Sequence, residues 1–147
     1  MYQLAQERHF FRLFSREELS RISTYFGHHA YPAGKVVSEP AAPLKMLGVI
    51  LSGELIIEEQ GGLKGHWITL FRMRRGAIVM HPSLFDVEPP AMRGLAGQDL
   101  TVMAMDGDAF EKMLNEESQV GIKFMRELVR VSLIRSLSMA ERLISVF

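Results

Sequence analysis

From Ala30 to Met105 the chain is a succession of short apolar runs broken by turn-forming residues, and from Asp106 onward that texture disappears. This switch limits the fold more than any other feature. Tyr31-Pro32-Ala33-Gly34-Lys35-Val36-Val37 sets a proline and glycine turn ahead of β-branched residues. Leu47 to Ile57 is two β-rich runs joined at Ser52-Gly53, a hairpin or a bend. Gln60-Gly61-Gly62 marks another turn, His66 to Phe71 another strand, and Leu100 to Met105 the last of the series. Several strands with regularly spaced turns predict an all-β sandwich or barrel.

The remainder reads as helix. Gly107-Asp108 starts a short one over Ala109 to Leu114, and after Asn115-Glu116-Glu117 a single long helix is predicted over 118–147. Ile122, Met125, Val129, Leu133, Leu137, Ala140 and Ile144 recur at three- or four-residue steps, and no proline interrupts them. Such a stripe faces either a core or a second helix. At the other end, Phe10, Phe11 and Phe14 form an aromatic cluster. Ser15-Arg16-Glu17-Glu18 then has the Ser-x-x-Glu pattern of a capping box. The helix it opens carries Leu19, Ile22 and Tyr25 on one face and is expected to stop at Phe26-Gly27.

A length of 147 residues predicts one domain, divided into N-terminal helices (1–29), a β-rich body (30–105) and C-terminal helices (106–147). Lys+Arg and Asp+Glu balance at 17 each, which argues against a general nucleic-acid binder. The absence of cysteine removes disulfides, thiolate catalysis and cysteine-ligated metals, and agrees with a cytoplasmic location. No apolar run of the roughly 18 residues needed to span a bilayer occurs. The N-terminus lacks the pattern of a signal peptide. His28-His29 is the one obvious metal motif, but neighbouring strand residues point to opposite faces, so no metal is expected.

Four segments, in this order, carry a resemblance. Phe14-Ser15-Arg16-Glu17-Glu18-Leu19 is similar to the opening helix of cyclic-nucleotide-binding domains of the catabolite-activator type. Tyr31 to Val37 is similar to their y-p-x-G-x-x-i strand, and Val49 to Leu55 to their v-i-x-s-G-x-v hairpin. Gly76 to Val102 resembles their ligand cassette, with Gly76, Leu84, Pro89, Ala91, Ala96, Asp99 and Val102 in register. The resemblance covers about Phe10 to Arg135. It implies a mainly β fold with flanking helices: a double-stranded β-helix, or jelly roll, followed by a long C-terminal helix.

In that family the cyclic phosphate sits on the amino end of the cassette helix, where free N–H groups and the helix dipole favour an anion. An arginine adds a charge-assisted fork, and a glutamate accepts from the ribose 2′-hydroxyl. Here Met80-His81 stands where Gly-Glu is usual, and Pro90 where the arginine is usual. Losing one partner of a buried charged contact costs about 2–5 kcal/mol, or roughly 30- to 3000-fold in affinity. The candidate ligand contacts are His81, Ser83, Leu84, Ala91 and Arg93, of which His81 and Ala91 stand at positions that contact the ligand in the family. Arg93 falls two residues after Ala91, on the same face of a strand, and is the cassette's remaining cation.

The resulting expectation is a non-enzymatic regulatory module: a dimeric small-ligand sensor of altered specificity, paired through its C-terminal helix. No cofactor is expected; the ligand is a nucleotide or another anionic small molecule, and the protein partner is unknown. The alternative is a pocket-dead dimerisation or interaction scaffold. A cupin-like metal enzyme is disfavoured by the missing ligand set, and direct DNA binding by the little chain left for a helix-turn-helix after the long helix.

Overall fold

The structure, a computed structural model, describes residues 10–146. Residues 1–9 of the expected N-terminal segment and the final Phe147 lie outside them. In chain order the elements are α1 (Arg16–Ser23), β1 (Gly27–Tyr31), β2 (Val36–Ser38), β3 (Met46–Ser52), β4 (Glu54–Gln60), β5 (Trp67–Arg74) and β6 (Ile78–Met80). A short 3-10 helix (Pro82–Phe85), β7 (Met92–Ala96), β8 (Leu100–Asp106), α2 (Gly107–Glu116) and α3 (Ser118–Val146) follow.

The strands form two antiparallel four-stranded sheets, in the orders β1-β8-β3-β6 and β2-β7-β4-β5. The chain passes back and forth between them, which is the jelly-roll arrangement expected. One junction differs from the hairpin the resemblance implies. β3 pairs with β6 and β8, whereas β4 pairs with β5 and β7, so Ser52-Gly53 is a bend that carries the chain between sheets. Gly53 makes the bend at φ +86°, and a Cβ there would lie 2.1 Å from the Asp99 carbonyl oxygen. The hairpin lies one connection later, where Gly61 N–H donates to the His66 carbonyl between β4 and β5.

Two apolar clusters divide the interior. One lies between the sheets and includes Ile50, Leu55, Met73, Ala96, Leu100 and Val102. The other joins the outer face of the β3-containing sheet to the helices, through Leu47, Val49, Ile78, Phe110, Phe124 and Val131. β3 serves both because its successive side chains point to opposite faces. Phe124 is completely buried and sits 5.0 Å from the Phe10 ring in an edge-to-face contact.

The capping box forms as written: Ser15 Oγ accepts from Glu18 N–H, and Glu18 Oε1 accepts from Ser15 N–H. Glu18 also takes Lys123 Nζ at 2.8 Å, docking α1 on α3. The helix ends earlier than its sequence reads. Thr24 caps it, and Gly27 opens β1 opposite Ala104, so glycine serves the strand and not the helix terminus. α3 begins at Ser118 as expected, and α2 runs to Glu116, two residues past the expected Leu114, with the Asp106 carboxylate accepting from Ala109 N–H at its start. Val120, Phe124, Leu128 and Val131 form the buried side of α3. The stripe read from sequence faces the other way: Ile122, Val129, Leu133, Leu137 and Ile144 are exposed.

Candidate ligand-binding site

A cavity of about 580 Å³ opens between the two sheets. All eight strands contribute to its wall, because alternate residues of each face inward. Val37, Leu55, Ile57 and Phe71 come from the second sheet, Tyr31, Val79, Leu100 and Val102 from the first. Space remains partly because β7 carries Gly94 on this face. A Cβ there would meet only Leu55 at 3.4 Å and then Ile57 and Ser38 at greater distance. Lys45, Glu39 and Glu88 stand at the mouth with the loop Pro89-Pro90-Ala91, and all three charged residues are exposed. α3 closes one side with Arg135, whose guanidinium donates to the Ile78 carbonyl.

The cassette turn is built differently from an open anion seat. His81 is pinned to β3 by its N–H to the Met46 carbonyl at 3.0 Å. Its ring then caps the 3-10 helix: Nδ1 accepts from Ser83 N–H at 3.3 Å and lies 2.6 Å from Ser83 Oγ. Leu84 N–H donates to the His81 carbonyl, and Val87 N–H to the Pro82 carbonyl. Pro82 has no N–H to offer. The chain's own groups therefore occupy the amides that would face an anion. Asp86 ends the turn in the left-handed conformation at φ 56°, a conformation aspartate tolerates better than most residues.

His81 and Ser83 do meet at the cavity, and Ala91 lines its mouth while its carbonyl accepts from Gln60 N–H at 2.8 Å. Leu84 is not brought there. It packs into the cluster between the helices and the outer face of the first sheet, near Gly107, on the side of the short helix turned away from the cavity. Arg93 reaches the cavity's edge, but its guanidinium is committed elsewhere. Nε donates to Glu58 Oε2 at 2.6 Å, and the group lies over the Trp67 ring at 4.3 Å. Glu58 is the directly opposite cross-strand partner of Arg93, so the pair satisfies itself outside the cavity. The sequence reading missed Lys45 and Arg135. Arg135 follows Val131 by one helical turn, and that spacing on the core-facing side of α3 was the available signal.

The surroundings lower the pKa of His81, first through burial, then through the positive charge of Lys45, against an opposing pull from Glu88. The neutral ring is also the form whose Nδ1 can accept from Ser83. The cap therefore stabilises the fold fully above the unfolded-state pKa of about 6.5, and the benefit is lost as pH falls through the lower folded value. His81→Asn keeps an acceptor for Ser83 N–H without titrating there. The fall in melting temperature between about pH 7 and pH 5 is expected to be larger in the wild type than in H81N. Parallel melting profiles in the two proteins would remove this role from His81.

No protein-family model and no curated protein sequence matches the chain. Solved structures do. A cyclic nucleotide-binding domain from Methylobacillus flagellatus is 23% identical with a TM-score of 0.81, over 91% of this chain and 75% of that one. The catabolite activator protein of Thermus thermophilus is 21% identical with a TM-score of 0.73, over 92% of this chain and 62% of that one. CprK in complex with o-chlorophenolacetic acid is 9% identical with a TM-score of 0.65, over 88% of this chain and 53% of its own. At these identities the likeness speaks for the architecture: the chain has the jelly-roll fold of cyclic-nucleotide-binding domains, with its long helix after the roll.

Proposed function

We propose that the chain is a non-enzymatic, cytoplasmic sensor of a small ligand other than a cyclic nucleotide, and that α3 carries the response. The observation behind this reading is the shape of one helix. Arg135 of α3 stands on the cavity wall, while Leu133 and Leu137, on the opposite side of the same turns, are exposed. A ligand that moves one side of α3 moves the other. A homodimer seated on that exposed face would convert occupancy into a change between subunits. Neighbours of the same fold include regulators named for activation and transcription, and CprK is seen with an aromatic acid. No described helix is long and apolar enough to cross a membrane.

Altered specificity rests on the cassette turn. Its amides are capped from within, Pro90 supplies no charge, and the Arg93 guanidinium is held by Glu58. Cyclic AMP is expected to bind with a dissociation constant weaker than about 100 µM, the direction set by losing two charged contacts. Calorimetry giving sub-micromolar binding would contradict the reading. Mass spectrometry of small molecules released from the purified protein, beside a melting screen, tests sensing itself. An empty and unresponsive cavity would favour a scaffold that keeps only its interaction surface.

A further inference from the structure

We infer that the cavity takes a compact aromatic acid: an apolar ring held between the sheets and one carboxylate at the mouth beside Lys45 and His81. This rests on the sensor reading and names the class of its ligand. The ring's seat is unusual in composition. Met46, Met73, Met80 and Met92 line it together with Tyr31 and Phe71. Thioethers are flexible and polarisable, and they make favourable contacts with aromatic ring edges. Phe71 and Tyr31 supply the stacking and edge contacts that aromatic groups prefer. A volume of about 580 Å³ lies inside the usual ~300–1,000 Å³ of pockets for small organic ligands.

The head group follows from the donors at the mouth. With Nδ1 of His81 occupied by Ser83, the neutral ring carries its proton on Nε2, which makes that atom a donor. Lys45 adds an exposed ammonium, and its charge acts on His81 more strongly than that of Glu88. Two donors, one of them charged, suit a carboxylate, and because the exposed Glu39 and Glu88 stand at the same mouth, the amine probe below tests the opposite sign of head group. A phosphate diester with a sugar and base would need the capped amides of the cassette turn as well.

The test is calorimetry on the intact chain with four probes: 4-phenylbutyrate, 4-phenylbutan-1-ol, 4-phenylbutylamine and cyclic AMP. The acid is expected to bind at about 100 µM or tighter, with the alcohol and the amine at least about fivefold weaker. Lys45→Gln, at an exposed site, should bring the acid down to the level of the alcohol. Gly94→Val grows a branched side chain into the cavity and should weaken the acid about tenfold, with melting temperature and circular dichroism showing that the variant folds. Equal binding of acid and alcohol, or tighter binding of the amine, overturns the carboxylate. Tighter binding of cyclic AMP overturns the aromatic class and the exclusion of cyclic nucleotides together, leaving only ligand sensing in place. Silence of all four probes overturns the inference alone; an empty cavity by mass spectrometry and melting screen as well removes the sensor reading with it.

Discussion

Gly53→Ala is expected to lower stability by about 3–5 kcal/mol, a large part of what a domain of this size possesses. Two terms add. A non-glycine residue at φ +86° carries a left-handed backbone cost of about 1–2 kcal/mol. The new Cβ would also lie 2.1 Å from the Asp99 carbonyl oxygen and 2.9 Å from Leu100 Cα, backbone atoms that cannot rotate aside. Retreat of Asp99 is opposed because its carboxylate accepts from Ala33 N–H at 2.8 Å, and the adjoining turn is tied by Gly34 N–H to the Ala96 carbonyl. Gly34→Ala separates the terms. Gly34 has φ +85° with nothing within 4 Å of a new Cβ, so it should show the backbone cost alone. Urea unfolding of both variants is the measurement, and equal losses in the two would dismiss the clash at Asp99.

What could be read from the sequence was what local chemistry decides. Ser15 and Glu18 cap each other across three residues, so the capping box is visible as a string. The same is true of the Gln60-Gly61-Gly62 turn. What the string leaves open or misplaces involves partners distant in sequence. Ser52-Gly53 reads as a hairpin or a bend because the runs on either side are both strands; only the pairing of β3 with β8 and β4 with β7 decides for the bend. Gly27 resembles a helix terminator, yet its position is fixed by Ala104 across the sheet. Arg93 looks available until Glu58, thirty-five residues earlier, is placed opposite it. His81 is an intermediate case. Its cap on Ser83 is local, but nothing in the string distinguishes a capping ring from one aimed at a ligand.

Leu133→Glu with Leu137→Glu is expected to turn a homodimer into monomers. α3 spans 29 residues, about 43 Å at the usual helical rise. Its buried side ends at Val131, and beyond that the described helix skirts the sheet edge through Arg142, which lies over Phe71 and donates to the Leu70 carbonyl. The opposite side leaves Leu133 59% and Leu137 66% exposed, in line with Ile122, Val129 and Ile144. An apolar groove of about 570 Å³ between α2 and α3, lined by Leu114, Ile122, Met125 and Val129, continues the same face. A continuous apolar stripe of this length is costly in water, and twofold pairing of identical stripes is the commonest closed way to cover it. The wild type should scatter light as twice the 16.7 kDa chain. In the double variant a twofold seam would face four carboxylates without partners, and the dimer dissociation constant should rise at least about a hundredfold. Because both leucines lie opposite the side that packs on the core, circular dichroism should be unchanged, which distinguishes dissociation from unfolding. A wild type that remains monomeric at high micromolar concentration would remove the seam, and with it the route from Arg135 on the cavity wall to a neighbouring subunit.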